Sequence, residues 1–275
     1  MNYRLSRIAA ICGGKFSGCD SEVRSVVTDS RSLSCELGCR PMFVAMRGAN
    51  HDSHDFIAGM QSRGVRAFLV ERGVEASSCT GECGFVQVDN AIEALQRLAA
   101  YHRAQFRGTV VGITGSNGKT VIKEWIAEEL PEGMKYYRSP KSYNSQLGVP
   151  LSVLMLEGDE ELAIFEAGIS KPGEMERLER LIRPDAVIFT SIGDAHQENF
   201  INLEQKCDEK MILARSASKI IYHSYYEPLG RMVAAHFADR RPVDAAAYPE
   251  VPESVIGNAA SRRNAQIVEA FCDAM

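Results

Sequence analysis

The chain has 275 residues, 45% of them hydrophobic and 24% charged, with a formal net charge of −5. Such a chain can bury a sizeable core and most simply makes two domains, while an acidic balance with no long basic stripe argues against nucleic-acid or anionic-membrane binding. No apolar run nears bilayer length and the run Ile8 to Cys12 is too short for a signal peptide, so a reducing, cytoplasmic setting with free thiols is expected.

From the N-terminus, Leu5, Ile8, Ala9 and Cys12 recur at helical spacing and Gly13-Gly14 supplies a stop, which predicts a short opening helix. Val23 to Val27 reads as a strand leading into Thr28-Asp-Ser-Arg31. Met42 to Met46 reads as a second strand, and Arg47 to Ile57 enters a helix that ends at Gly64. Ala67 to Val70 and Phe85 to Val88 are further short strands, and Asn90 with Glu93 forms a capping pair before a helix carrying Ile92, Leu95, Leu98 and Ala99. This alternation predicts an α/β unit that ends near Phe106 to Gly108. Two cysteine pairs in this half, Cys35/Cys39 and Cys79/Cys83, have three-residue spacers. A zinc site is conceivable there, but the pairs lie far apart without a histidine at finger spacing, and incidental thiols explain them better.

An apolar run from Val110 to Thr114 then turns through Gly115, Ser116, Asn117 and Gly118 into Lys119 and Thr120. Glycines let backbone N–H groups approach phosphate oxygens, a helix N-terminus adds partial positive charge, and the lysine adds a full one. Strict Walker spacing wants glycine where this chain has Ile113, although the shorter Thr114-Gly-Ser-Asn-Gly-Lys-Thr120 form matches. A tight strand-to-helix turn with a surface lysine is the plainer alternative.

A helix from Thr120 to Leu130 follows, then a strand over Lys135 to Arg138. Leu162 to Phe165 is a strand delivering Glu166, Met175 to Ile182 a helix, and Asp185 to Ser191 a strand that leads to His196. Strand C-termini of an open parallel sheet line its ligand crevice, so Lys119, Glu166 and His196 are expected to converge. Thr120 and Glu166 could hold one Mg²⁺ through oxygen, and His196 could reach a second. A solvated strand-end carboxylate and a loop histidine are the bland alternatives for Glu166 and His196.

Thr28-Asp-Ser-Arg31, Phe43 to Gly48 with His54 to Ile57, the Gly112 to Thr120 loop, Asn144 with Gly148-Val-Pro150, and Glu166-Ala-Gly168 together resemble the Mur ligase family. Within it, Asn144 to Pro150 is most similar to the branch that joins D-alanyl-D-alanine to a UDP-N-acetylmuramoyl-tripeptide. Ser139 to Asn144 and Ala167 to Glu174 are similar to its subset fused to alanine racemase. No racemase sequence is present here.

The resemblance implies a small N-terminal α/β domain, residues 1–106, binding the UDP-substrate. A P-loop domain with a mostly parallel sheet flanked by helices follows over residues 107–275. It implies ATP- and Mg²⁺-dependent amide formation in peptidoglycan precursor synthesis, through an acyl phosphate. Lys119, Lys210 and His196 would be catalytic, with Lys210 carbamylated and Lys206, one helical turn away, its rival. Gly115, Ser116, Asn117, Gly118, Lys119, Thr120 and Asn264 would bind nucleotide; Thr120, Glu166, His196 and Lys210 would hold metal. Ser30, Arg31, Arg47 and Asn144 would bind the substrate, although Ser30-Arg31 could equally be a capped turn and Asn144 an Asx turn. Ser261 stands where relatives often have a second asparagine, and Ser224 to Pro228 departs from their Asp-rich turn. The family's third domain is not found before Met275, so weak ligand binding with little turnover is expected of these residues alone. A neighbouring ligase type, including a folylpolyglutamate synthase-like one, and a non-catalytic nucleotide-binding module stay open as alternatives.

Overall fold

Strand and helix alternate along two α/β units in a computed structural model that describes residues 1–31, 40–48, 52–71, 82–193 and 197–275. One unit comprises Met1–Gln105 with Val153–Glu157, the other Phe106–Ser152 with Gly158–Met275.

The first unit begins with β1 (Tyr3–Arg4) and α1 (Leu5–Cys12), whose Leu5, Ile8, Ala9 and Cys12 are buried and whose end is the left-handed Gly13 at φ 69°. Then come β2 (Lys15–Gly18), β3 (Glu22–Val23), β4 (Ser25–Val27) and β5 (Pro41–Val44). They are followed by α2 (Ile57–Ser62), β6 (Ala67–Glu71), β7 (Gly84–Val88) and α3 (Ala91–Arg103). The expected single strand over Val23 to Val27 is two. The chain breaks at Arg24, so that β3 pairs antiparallel with β1 and fully buries Val23, while β4 runs parallel to β5. Asn90 caps α3 as expected, its side chain accepting from the Glu93 N–H at 3.0 Å. The five-stranded sheet has the order β2-β7-β6-β5-β4, parallel except at β2. Phe43, Phe68 and Phe85 pack with Ile57 and Met60 in its core.

The second unit contains β8 (Thr109–Thr114), α4 (Lys119–Glu129), β9 (Tyr136–Arg138), α5 (Gly148–Val153), β10 (Leu162–Ala167) and α6 (Glu174–Ile182). It continues with β11 (Ala186–Phe189), α7 (Leu203–Met211), β12 (Lys219–Tyr222), α8 (Leu229–His236), β13 (Val243–Asp244) and α9 (Ala259–Ala274). Its six strands are all parallel in the order β13-β12-β11-β8-β10-β9. Val111 and Ile113 of β8, Ile164 of β10 and Ile188 of β11 share a core with Ile122 and Ile126 of α4 and Ile267 and Phe271 of α9. Because β8 lies between β10 and β11, later strands go to opposite sides of it, and the crevice of an open α/β sheet opens at their C-terminal ends. Glu166 sits inside β10 as its penultimate residue, paired with Ile113, rather than just beyond the strand. No helix among the described residues is long and apolar enough to cross a membrane.

In the first unit, Gly84 of β7 leaves no room for a side chain, since a Cβ there would lie 2.0 Å from the Cys19 carbonyl oxygen and 2.6 Å from Leu5 Cδ2. Gly84→Ala is expected to destabilise this unit by about 1–3 kcal/mol through overpacking. Hydrogen exchange should show faster opening of α1 and β7 while β8 and β10 keep wild-type protection.

Candidate functional site

β8 delivers its chain to the loop Gly115 to Gly118, and α4 starts immediately after it at Lys119. Gly115 has φ 149°, and a Cβ on it would lie 1.8 Å from Thr190 Oγ1, so only glycine fits between β8 and the end of β11. The loop is fastened to that strand end. Ser116 N–H donates to the Ser191 carbonyl at 2.7 Å, Gly193 N–H donates to Ser116 Oγ at 3.0 Å, and the Thr190 hydroxyl donates to the Asn117 carbonyl at 2.6 Å. Gly118 is left-handed at φ 87°, and a Cβ there would meet Asn264 Oδ1 at 3.1 Å, which puts the α9 amide beside the loop.

Three lysines crowd this turn. Lys119 Nζ donates to the Gly115 carbonyl at 2.7 Å, and Lys210 Nζ, from α7, donates to the same oxygen at 3.2 Å. Lys206, one turn earlier on α7, donates to the Gly193 carbonyl at 2.6 Å and to Gln197 Oε1 at 3.1 Å. Burial, with the charges of Lys119 and Lys206 adding to it, pushes Lys210 down to about 7. Burial also lowers Lys119, against the pull of Glu166. Lys206 and Lys210 are both buried, so neither is a solvated helix lysine.

On the other side of the loop, the Thr120 hydroxyl donates to Glu166 Oε2 at 3.1 Å. Glu166 is completely buried, and its Oε1 faces Lys123 Nζ at 2.8 Å. Sequence reasoning passed over Lys123. Its spacing of four from Lys119 and three from Thr120 sets it on their face of α4, which is the signal that could have found it. Asn144 reaches the same edge through the backbone: its carbonyl accepts from the Gly168 N–H at 2.7 Å, two residues past Glu166.

Of the expected site residues, the second unit therefore gathers Gly115, Ser116, Asn117, Gly118, Lys119, Thr120, Glu166, Lys210 and Asn264, with Asn144 at the margin. His196 lies outside the described residues, as do Cys35, Cys39 and Cys79. Ser30, Arg31 and Arg47 belong to the first unit, past the C-terminal ends of the adjacent parallel strands β4 and β5. Arg31 is turned onto Asp29, with contacts of 3.0 and 2.9 Å, and its hydrogen bonds hold that carboxyl at about 2. Arg47 Nε donates to Asp52 at 3.2 Å, and the Ser30 carbonyl accepts from Arg63. Among the described residues no group of three or more His, Cys, Asp and Glu could hold a metal ion alone. The oxygen pair of Thr120 and Glu166 instead suits a Mg²⁺ that takes its remaining ligands from phosphate and water.

Residues 113–239 match the model of the Mur ligase middle domain. The UDP-N-acetylmuramoyl-tripeptide--D-alanyl-D-alanine ligase of Bacillus subtilis (strain 168) is 32% identical over 189 residues, 69% of this chain and 40% of that protein. The ligase of the same name from Escherichia coli (strain K12) is 33% identical over 203 residues, 74% of this chain and 43% of that one. The chain thus spans about two fifths of the length of these curated relatives. Among solved structures, MurF from Acinetobacter baumannii superposes with a TM-score of 0.81 at 22% identity, over 99% of this chain and 65% of that one, a likeness of fold. The MurF ligase from Thermotoga maritima in complex with ADP gives 0.66 at 27% identity, over 79% and 49%.

The depressed Lys210 has a consequence for stability. Its folded value of about 7 lies below the ordinary 10.5, so between those limits the unfolded chain binds more protons and unfolding becomes harder as pH rises. The penalty of burying this ammonium is fully present below pH 7 and is relieved towards pH 10.5. Lys210→Met is therefore expected to stabilise the chain most at pH 6–7, with the gain shrinking by pH 10; denaturant midpoints of both chains across that range check it.

Proposed function

We propose, for a chain whose residues 113–239 match the model of the Mur ligase middle domain, an ATP-dependent amide ligase of peptidoglycan precursor synthesis that joins D-alanyl-D-alanine to a UDP-N-acetylmuramoyl-tripeptide. The observation that carries this reading is the loop Gly115 to Thr120, with three lysines on one side and the Thr120–Glu166 oxygen pair on the other. A triphosphate is the ligand whose charge would offset that crowding. ADP in the Thermotoga maritima relative and the ligase names of the curated relatives point the same way.

In this reading the terminal carboxylate of the tripeptide attacks the γ-phosphorus of ATP, ADP leaves, and an acyl phosphate forms. The amine of D-alanyl-D-alanine then adds to the acyl carbon, loses a proton, and expels inorganic phosphate as the amide forms. Lys119 turns from the loop carbonyls to the phosphate oxygens, where its charge counts most as the phosphoryl group transfers. Backbone N–H groups of the loop and the N-terminus of α4 hold the phosphates in line. Asn264, beside Gly118, would serve the nucleoside side; Asn144 would contact the muramoyl substrate or a phosphate, and Ser30, Arg31 and Arg47 of the first unit would bind the UDP end.

Thr120 and Glu166 would hold one Mg²⁺, which neutralises phosphate charge when bound. Lys210 and His196 would serve a second. For Lys210 to do so it must lose its proton, and an amine brought to about 7 is in part neutral at physiological pH. The neutral nitrogen can add to CO₂ and release a proton, which exchanges an ammonium for a carbamate anion and removes one of three clustered positive charges.

Two measurements test this. Lys119→Met should weaken ATP binding by about 10–100-fold, the scale of one lost hydrogen bond to a charged group, with the fold intact by circular dichroism. With ¹³C-labelled CO₂, the wild-type chain should show one carbamate resonance that Lys210→Met lacks and Lys206→Met keeps; its persistence in Lys210→Met would exclude Lys210. Nucleotide binding that ignores Lys119 would favour a different ligand for the loop.

A further inference from the structure

Lys123 is a lysine with no exposed surface, on the first turns of α4, and its surroundings are unusual for that residue type. Its Nζ donates hydrogen bonds to the Ser139 and Lys141 carbonyls, both at 2.7 Å, and forms an ion pair with Glu166 Oε1 at 2.8 Å, with Glu124 Oε1 farther off at 3.4 Å. The acceptors come from β10 and from two residues of the turn after β9. Lys141 adopts φ 49°, a left-handed conformation that a residue with a side chain takes at a cost. The turn then runs three residues on to Asn144, whose carbonyl is tied to Gly168, just past Glu166.

A buried ion pair contributes little net stability over apolar residues of similar size, because desolvation offsets the attraction. Lys123 therefore needs a reason other than holding the core together. Glu166 has two oxygens with divided tasks: Oε1 is taken by Lys123 and Oε2 lies against the Thr120 hydroxyl. Lys123 thereby fixes the rotation of the carboxylate and turns Oε2 towards the nucleotide loop. The same ammonium clamps the Ser139 to Lys141 turn that leads into Asn144.

We propose that Lys123 is a positioning residue that aligns the Glu166 carboxylate for Mg²⁺-nucleotide and, through the same nitrogen, holds the 139–144 segment in register with it. The metal half of this rests on the functional reading above; the anchoring half does not. Partners that orient metal ligands typically change metal affinity about 10–100-fold when removed. In Lys123→Met, the Mg²⁺ concentration for half-maximal binding of ADP should therefore rise about 10-fold or more, while ADP binding without Mg²⁺ stays within about 2-fold of wild type. Amide exchange over residues 140–145 should accelerate about 10-fold relative to the strand amides of β8 and β10, since local opening follows the loss of its anchor.

Lys123→Arg keeps the charge but presents a planar fork to acceptors arranged around an ammonium, so it should not restore slow exchange at 140–145. Should Lys123→Met fail to fold because Glu166 is left buried and unpaired, Lys123→Met with Glu166→Gln removes both charges and carries the exchange measurement. Unchanged exchange over 140–145 in the variant that folds overturns the anchoring, and an unchanged Mg²⁺ requirement in Lys123→Met overturns the alignment. A wild-type chain that binds no nucleotide with Mg²⁺ overturns the functional reading and the metal half with it, and the exchange measurement still decides the anchoring half.

Discussion

One backbone oxygen, the carbonyl of Gly115, takes hydrogen bonds from two lysine ammoniums, and much of the second unit is arranged so that it can. Like charges close together in a partly dry environment repel strongly, and each also loses hydration. The protein answers with carbonyls: Gly115, Ser116 and Gly193 all accept from Lys119 or Lys206, and Lys210 adds to the first of these. Neutral dipoles temper such a cluster without cancelling it. The surplus is what a polyanionic ligand can discharge, and it adds to the burial that lowers Lys210.

Glu166 lies near these lysines, and its charge is largely committed to Lys123. The site is thus divided across the central strand. Towards β11 and α7 stand ammoniums held by carbonyls, and towards β10 stands a carboxylate held by an ammonium. That division follows from topology, because β8 has β10 on one side and β11 on the other and its loop faces the ends of both.

Much of this was legible in the residues themselves. The Thr114 to Thr120 pattern and the strand that delivers Glu166 are local signals found on β8, α4 and β10, although β10 runs on to Ala167; Lys210, which only the family resemblance singles out, lies on α7. Lys123 was not legible as buried, since lysine on an amphipathic helix ordinarily faces water. What buries it are carbonyls 16 and 18 residues further along the chain, which no local window contains. The break between β3 and β4 has a similar origin: two strands separated by one residue join different sheets, and the choice of partner is tertiary. The chain after Lys210 was hardest to read. There β12 and β13 are short, and α9 is placed by packing against α4 rather than by any motif.

The fastening of the phosphate loop to β11 carries a last implication. Hydrogen bonds from Ser116, Thr190 and Gly193, together with the space closed at Gly115, leave the turn little conformational freedom before any ligand arrives. The entropy lost in shaping it falls on folding, so association need not supply it again. Mutational drift is constrained by the same feature. A side chain at residue 115 would have to displace Thr190, so the loop and the end of the neighbouring strand can change only together.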